Sequence, residues 1–534
     1  NVPDTFKDDG SGTMFAASGL RFSEYPEDLG ADKHYLEPTT RELAMIEKVT
    51  SQFDKVVVVI NASNAMELGW IEDYPSIKSV ILAPGPGQTG FNALGNILSG
   101  KTNPSGRTVD TFVYDLTAIP AFNNIGEFQY TNLGDVSPES YGFPVTPNFV
   151  NYVEGIYVGY KWYETAAAEN AIDYDKTVQF PFGYGLSYTT FEQKLDSVDM
   201  GADEITVKAT VTNTGNLAGK SVVQAYAQTP YGGYEKEHKV EKSAIQLAGF
   251  AKTGMLEPGA SETVTITVDK YLLASYDVTA HNGEGGYILS DGDYYLAIGE
   301  DSHDALNNVL AAQGYAASNG MTADGDAAKA HKWNQGFDDE KYRTGANGVT
   351  VSNQFEDCDL NYWAEGAGTY LSRNDWAGTY PAEQTTVEAT QEMLDILDGE
   401  WYEKPENAPS YASVAANFGV DSGLNLALMK DVSLSDRETW EKFIYQLQPE
   451  DLPNATAESF QCPAVGDISP AFGVGDGCDS VGGSLPHTVE FNGEQVNPPT
   501  TRYCSKTILT ATWNAELYAE RGRLMGEEGL WSGF

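Results

Sequence analysis

Lys55-Val-Val-Val-Val-Ile60 is a continuous run of β-branched residues behind a single lysine. Such a run is typical of a strand buried on both faces of a parallel sheet. Residues 40–49 before it carry apolar side chains at helical spacing, and Ser79-Val-Ile-Leu-Ala83 after it predicts a second buried strand. A helix is predicted from Gly90 to Leu98, ending at Gly100, because glycine accepts the left-handed conformation that closes helices. This alternation predicts an α/β domain with a doubly wound sheet.

The hydrophobic period changes between residues 192 and 300. Apolar residues alternate with threonine and lysine over residues 205–212, and they alternate with threonine again over residues 263–268. A further run, Tyr294-Tyr-Leu-Ala-Ile298, follows a turn of aspartate and glycine. Several short alternating strands with turn signals between them predict an antiparallel β-sandwich.

The remaining sequence is less regular. Between residues 302 and 460 no clear period emerges, apart from short helices near 387–400 and 435–447. We interpret this stretch as a partly ordered connector, since a structureless loop of that size is unusual in a compact domain. A later amphipathic pattern predicts a helix from Asn514 to Glu528. The predicted domains are therefore residues 1–191, 192–301, 302–460 and 461–534.

The charge is strongly negative: 32 lysine and arginine residues stand against 77 aspartate and glutamate residues, a formal net charge of −45. A field of this sign repels phosphate backbones and anionic membrane surfaces, so nucleic acid and membranes are not predicted as partners. No apolar stretch approaches the roughly 20 residues that a membrane helix requires. Residues 1–12 carry no signal-peptide pattern, which favours a cytoplasmic location, but Asn1 is not a start methionine and leaves the location open.

Two sequence patterns could indicate a cofactor or a metal, but neither a cofactor nor a metal is predicted. Gly85-Pro-Gly-Gln-Thr-Gly90 follows a predicted strand and precedes a helix, with Asp110 twenty residues later, as in a dinucleotide-binding loop. Pro86 removes an N–H that would face a pyrophosphate, so we interpret the loop as a tight turn between strand and helix. No zinc-like spacing relates the four cysteines, which predicts free or buried thiols and no metal; they are Cys358, Cys462, Cys478 and Cys504.

Several acidic residues are candidates for glycoside chemistry. Retaining cleavage needs two carboxyl groups about 5 Å apart, and Glu24, Glu27 and Asp375 (in Ser372-Arg-Asn-Asp-Trp376) are the candidates. Most of the 77 acidic residues are explained by a solvated surface. Nearby aromatic residues suit stacking on sugar faces or, more commonly, core packing; they are Tyr25, Tyr35, Trp70, Tyr157, Tyr160, Trp162 and Tyr163.

The order of four motifs along the chain resembles glycoside hydrolase family 3, the β-glucosidase family. In that family the motifs belong to a flavodoxin-like α/β-sandwich domain, and residues 192–300 resemble the fibronectin type III-like β-sandwich that follows it. The motifs are Pro84-Gly-Pro-Gly-Gln-Thr-Gly90, Asn103-Pro-Ser-Gly-Arg107, Tyr152-Val-Glu-Gly-Ile-Tyr-Val-Gly-Tyr160 and Phe180-Pro-Phe-Gly-Tyr-Gly-Leu-Ser-Tyr188.

The C-terminal residues resemble the opening of the family's catalytic (β/α)₈ barrel, through Gly473-Val-Gly-Asp-Gly477, Ala511-Thr-Trp-Asn-Ala-Glu-Leu517 and Gly526-Glu-Glu-Gly529. The barrel usually comes first, so this order resembles a permuted subgroup of bacterial β-glucosidases. A barrel takes about 250 residues, and the chain is therefore expected to be a fragment that stops early in its catalytic domain and is inactive alone. The family's nucleophile, an aspartate late in the barrel, is then expected beyond Phe534.

Within the chain, the resemblance assigns two site residues. Asp476 matches the aspartate of the family's Asp-Gly-Pro motif, with Cys478 in place of the proline, and is predicted to bind sugar hydroxyls in the −1 subsite. Asp32-Lys-His-Tyr-Leu-Glu37 resembles the loop that follows the general acid/base glutamate, and Glu24 is the nearest match for that glutamate. A different alignment places Met14 there. Asp375 precedes the barrel and is interpreted as a decoy.

The implied activity is retaining hydrolysis of terminal non-reducing β-D-glucosyl residues, without a metal or cofactor, from a β-glucoside or short β-linked oligosaccharide. The alternative is a non-catalytic carbohydrate-binding or scaffolding protein. Glucosidase and xylosidase specificity are not separated by these residues, and the oligomeric state is not assigned.

Overall fold

The structure is a computed structural model. The chain folds into two compact units, the larger from residues 1–85, 92–397 and 510–514 and the smaller from residues 86–91, 398–509 and 515–534. The residues that the structure describes are 26–28, 34, 36–126, 128–134, 147–316, 325–398, 406–452, 461–462, 464–469, 472–473, 480–481, 489–491, 494–496 and 500–532.

The described residues form both strands and helices, connected in places by short 3₁₀ turns. The strands are β1 Val56–Ile60, β2 Ile77–Leu82, β3 Phe112–Val113, β4 Val178–Phe180, β5 Phe191–Met200, β6 Glu204–Asn213, β7 Val222–Gln228, β8 Gln246–Lys252, β9 Ser261–Asp269, β10 Ser275–Asp277, β11 Gly286–Ile288, β12 Gly292–Gly299, β13 Ala330–Gln335, β14 Gln461–Cys462, β15 Phe472–Gly473, β16 Val489–Phe491 and β17 Glu494–Val496. The helices are α1 Thr40–Thr50, α2 Phe91–Leu98, α3 Pro120–Asn124, α4 Tyr160–Ala168, α5 Tyr174–Thr177, α6 Gly233–His238, α7 Ala280–Gly283, α8 Ser302–Ala312, α9 Leu360–Trp363, α10 Trp376–Thr379, α11 Gln391–Asp398, α12 Tyr411–Ala415, α13 Leu426–Met429, α14 Arg437–Ile444, α15 Lys506–Ala511 and α16 Ala515–Ser532.

The α/β part contains the predicted elements. β1 and β2 pair in parallel, with Val58 opposite Val80. Thr39 and Glu42 form a capping box at the start of α1, which satisfies N–H groups that have no partner inside the helix. Gly100, two residues after α2, has a φ of 73°, in agreement with the predicted glycine stop. β3 and β4 form a separate antiparallel pair.

The predicted burial of the first strand on both faces is wrong. Burial alternates along β1, and the side chains of Val57 and Val59 are 46% and 37% exposed. In the described part of the chain, β1 and β2 form a two-stranded sheet. A run of β-branched residues indicates a preference for the strand conformation. Burial of both faces of that strand also requires other elements, usually helices, packed on each face of the sheet.

The predicted sandwich is present as two antiparallel sheets, β5-β6-β9 and β13-β12-β7-β8. The alternating side chains of β6, from Ile205 to Val211, are at most 1% exposed and pack against those of β7, β9 and β12. The alternation that predicted the sandwich therefore corresponds to one buried and one solvent-facing side of β6.

Two elements within the stretch that the sequence assigns to a connector, α8 (Ser302–Ala312) and β13 (Ala330–Gln335), pack against the rest of the larger unit. α8 belongs to the core cluster that includes Tyr157 and Trp162, with Leu306 fully buried. β13 adds the edge strand to the four-stranded sheet through its pairing with β12. The short helices predicted near 387–400 and 435–447 correspond to α11 and α14.

The smaller unit holds helices α12 to α14, most of α15, α16 and two strand pairs. β14 pairs with β15 and β16 pairs with β17, both antiparallel. A (β/α)₈ barrel is built from parallel strands, and the described residues of this unit contain no parallel pair. The barrel start therefore stays a prediction. No helix in the described residues is long and apolar enough to cross a membrane.

Candidate active-site region

The two predicted site residues, Glu24 and Asp476, lie outside the described residues. The turn beside Glu24, Pro26–Asp28, is described. In it, Glu27 is exposed, and the Thr40 N–H donates to Asp28 Oδ1 at 2.8 Å. This bond ties the turn to the first residue of α1, so the chain next to Glu24 has a fixed anchor.

The loop around His34 is held by Glu67, a residue that the sequence reasoning missed. His34 Nε2 lies 3.2 Å from Glu67 Oε1, and His34 Nδ1 accepts from the Leu36 N–H at 3.2 Å. Because Nδ1 accepts, the proton of the neutral ring is on Nε2 and points to Glu67. The same carboxylate oxygen accepts from the Leu116 N–H at 2.7 Å. Glu67 therefore connects the loop that resembles the acid/base loop to the segment after β3.

The glycine loop after β2 behaves as a turn. Gly85 has a φ of 56°, and its N–H donates to Asn61 Oδ1 at 2.9 Å. Asn61 directly follows β1. Its side chain therefore closes the turn that follows the neighbouring strand, β2. This contact supports the tight-turn interpretation of the motif.

The two motif loops 103–107 and 180–188 bind each other. Asn103 Oδ1 accepts from Ser187 Oγ at 2.9 Å and from the Tyr188 N–H at 2.7 Å. Arg107 donates to the Gly185 carbonyl, and a Cβ on Gly185 would lie 2.4 Å from the Gly106 carbonyl oxygen. The motifs thus hold two loops together, and glycine is needed where the backbones meet.

The segment 510–514 packs onto these loops. Trp513 is 3% exposed, with its ring centroid 5.5 Å from that of Phe182 and 5.1 Å from that of Phe250. Lys252 Nζ donates to the carbonyls of Ser105 at 3.0 Å and Thr512 at 2.6 Å. Burial lowers the pKa of this lysine to about 8. A motif that resembles the barrel opening therefore contributes to the core of the larger unit.

Glu164 is the centre of a buried polar cluster behind the loops. It lies on α4, is 1% exposed, and accepts from Tyr174 OH at 2.7 Å and Ser302 Oγ at 2.9 Å. His303 Nδ1 lies 3.0 Å from its other oxygen. Ser302 and His303 are the first residues of α8, where the helix dipole favours a negative charge.

Asp301 caps the same helix and has an unusual pKa. Its side chain accepts from the Asp304 N–H at 2.9 Å. Burial, with the nearby charges of Asp304 and Glu164, raises the pKa of Asp301 to about 6. The folded chain therefore retains a proton between pH 4 and 6 that the unfolded chain has lost, and stability falls as pH rises through that window.

Asp301→Asn is expected to remove this pH dependence, because asparagine keeps the cap without the charge. Relative to the variant, the parent chain should lose up to about 3 kcal/mol of unfolding free energy between pH 4 and pH 7. Urea unfolding of both proteins across that range measures the difference. Parallel stability curves would show that Asp301 ionises normally.

Asp375, interpreted from the sequence as a decoy, has a structural role in the fold. It caps α10 by accepting from the Gly378 N–H at 3.0 Å. Ser372 Oγ and the Arg373 N–H before it bind Glu241 at 2.7 and 3.0 Å. Trp376 packs edge-on against Tyr157 and Trp162, so these aromatic residues form core. The described residues contain no group of three or more potential metal ligands, and Cys358 and Cys504 are free thiols.

The fold therefore defines a class of protein module in which an α/β domain is followed by a fibronectin-like β-sandwich. Two family models match it: "Glycosyl hydrolase family 3 C-terminal domain" over residues 16–160 and "Fibronectin type III-like domain" over residues 221–302. These two regions of the chain therefore resemble the C-terminal and fibronectin type III-like domains of glycoside hydrolase family 3. The structure begins the sandwich earlier than the second match, at β5.

Similar proteins carry glycosidase names. Beta-glucosidase A of Butyrivibrio fibrisolvens is 34% identical over 281 residues, 50% of this chain and 30% of that protein. An exo-alpha-(1->6)-L-arabinopyranosidase of Bifidobacterium breve is 29% identical over 295 residues, 55% of this chain and 34% of that protein. A solved β-glucosidase from Paenibacillus barengoltzii resembles the fold with a TM-score of 0.55 at 23% identity, over 93% of this chain and 47% of that one. The chain spans about a third of the length of the curated relatives it matches.

Proposed function

We propose that this chain supplies the α/β and fibronectin type III-like domains of a retaining β-glucosidase. The observation that carries the proposal is the succession of family motifs within one folded domain, where the loops 103–107 and 180–188 lock together. The similarity to β-glucosidases over half of the chain supports the same conclusion.

In this proposal the two carboxyl groups come from different domains. Glu24 is the general acid/base, next to the turn that Asp28 fixes to α1. The nucleophile is an aspartate of the barrel outside this chain, and Asp476 binds hydroxyls of the −1 sugar. Retention requires the acid and nucleophile about 5 Å apart, a covalent glycosyl-enzyme, and an acid that then serves as base toward water. No step requires a metal.

Release of aglycone from an aryl β-D-glucoside tests the proposal. The full-length protein is expected to turn over with retained anomeric configuration, and the 534-residue chain alone is expected to release nothing. An aryl α-L-arabinopyranoside belongs in the same assay, because one similar protein is an arabinopyranosidase. Turnover by the isolated chain would contradict the division of the carboxyl groups, and an inactive full-length protein would favour the carbohydrate-binding or scaffolding alternative.

A further inference from the structure

An open cavity of about 500 Å³ lies at the end of the sandwich where β7 and β13 end and β12 begins. Its walls come from residues 230–235, which follow β7 and include the start of α6, from Asp291 before β12, and from Phe337 after β13. The volume is in the range of small-molecule sites, about 300–1,000 Å³. Nothing in the proposed hydrolysis uses it.

Aromatic rings line the cavity and are held in place. Tyr234 OH donates to Asp277 Oδ2 at 2.6 Å, which fixes the ring, and its centroid lies 5.1 Å from that of Phe337. Phe337 is 44% exposed. The Arg373 guanidinium lies 4.4 Å from the centroid of the Tyr231 ring, a cation–π contact that holds this ring in place. Rings positioned before a ligand arrives lower the entropy cost of binding.

Glu235 in the cavity wall is also held in place, and the cavity carries polar groups as well as aromatic rings. Glu235 Oε2 accepts from the Gly232 N–H at 2.8 Å, and Glu235 Oε1 lies 3.0 Å from Lys242 Nζ in an ion pair whose side chains are both 3% exposed. Gly232 and Gly233 carry no side chains, which leaves the opening wide. Asp291 adds an exposed carboxylate at the cavity.

The chemistry selects a neutral, hydroxylated ligand. Aromatic faces pack against the C–H faces of a pyranose ring, and carboxylates accept hydrogen bonds from hydroxyl groups. The net charge of −45 and the carboxylate of Asp291 disfavour an anion. We propose that this cavity binds one or two sugar units of a neutral saccharide, at a site separate from the −1 subsite. The proposal does not depend on hydrolysis by the whole protein.

Titration of the 534-residue chain with cellobiose and with laminaribiose, followed by isothermal calorimetry, tests the site. Saturable binding is expected for at least one of them. Phe337→Ala should weaken it at least tenfold, and Asp291→Asn should weaken it severalfold. The matched control is Phe355→Ala, which removes a 75% exposed phenylalanine outside the cavity and should leave affinity unchanged.

Asp476→Asn separates this site from the proposed −1 subsite. Binding that persists in Asp476→Asn and is lost in Phe337→Ala supports the cavity, whatever the activity of the full-length protein. Failure of both disaccharides to bind, or equal affinity in the parent chain and Phe337→Ala, would overturn the proposal. Unfolding midpoints of the variants show whether each change is local.

Discussion

Glu164→Leu is expected to destabilise the larger unit by about 3–5 kcal/mol. The carboxylate is 1% exposed and is the shared acceptor of Tyr174, Ser302 and His303. Leucine fills the space without offering an acceptor. Three buried donors then lose this partner at the helix terminus where a negative charge is favoured.

The pH dependence of the destabilisation shows whether the contact between Glu164 and His303 causes it. Burial lowers the pKa of His303, but the charge and hydrogen bond of Glu164 outweigh it, and the net pKa is raised. The stability that this pair contributes is complete below the ordinary histidine pKa of about 6.5 and is lost as pH rises through the raised value. Glu164→Leu should therefore cost more at pH 6 than at pH 9.

Urea unfolding at both pH values measures the effect, with Glu192→Leu as the control. Glu192 is an exposed glutamate on β5, and its substitution is expected to change stability by at most about 0.5 kcal/mol. Glu164→Gln, which keeps one acceptor oxygen, should lose less than the leucine variant. Equal unfolding midpoints for the Glu164 and Glu192 leucine variants would refute the role given to the cluster.

Buried polar residues explain why α8 was not predicted. Asn307 and Asn308 are 2% and 1% exposed, so the helix buries positions that a hydropathy pattern assigns to the surface. Asn308 donates to the Ile298 carbonyl at 3.0 Å and accepts from the Asp326 N–H at 2.7 Å. These partners come from β12 and from the turn before β13. Burial of an amide depends on such distant partners, and periodicity along the chain does not contain them.

The sandwich was predictable because a two-residue period records which side of a strand is buried. The region around Glu24 was predictable only in part. Motif order located the loop that contains His34, but its anchor, Glu67, is 33 residues away and has no local signal. The motifs themselves were recognised by resemblance, and their mutual hydrogen bonds show a physical reason for their residue types. Asn103 accepts two hydrogen bonds from the loop 180–188 through Oδ1 and donates one to the Ala218 carbonyl through Nδ2, and an aspartate, which has no donor when ionised, would not make the last of these.

Glu24→Gln in the full-length protein is expected to lower turnover of a poorly activated β-glucoside by about 10²- to 10⁴-fold, the usual contribution of a general acid. Glutamine keeps the size of the side chain and removes its proton. A substrate with a highly acidic aglycone needs less protonation, so the loss should shrink with dinitrophenyl β-D-glucoside. Added azide should restore turnover on that substrate, because azide attacks the glycosyl-enzyme without help from a base.

Glu27→Gln is the matched control, since Glu27 is an exposed glutamate three residues away. Its turnover should remain within about twofold of the parent, because substitution of an exposed side chain that makes no special contact usually changes little. A large loss in Glu27→Gln with none in Glu24→Gln would move the acid role to Glu27. Near-normal rates in both variants would mean that another residue supplies the general acid. The alternative alignment, which places Met14 in this position, implies the same, because a thioether has no proton to donate.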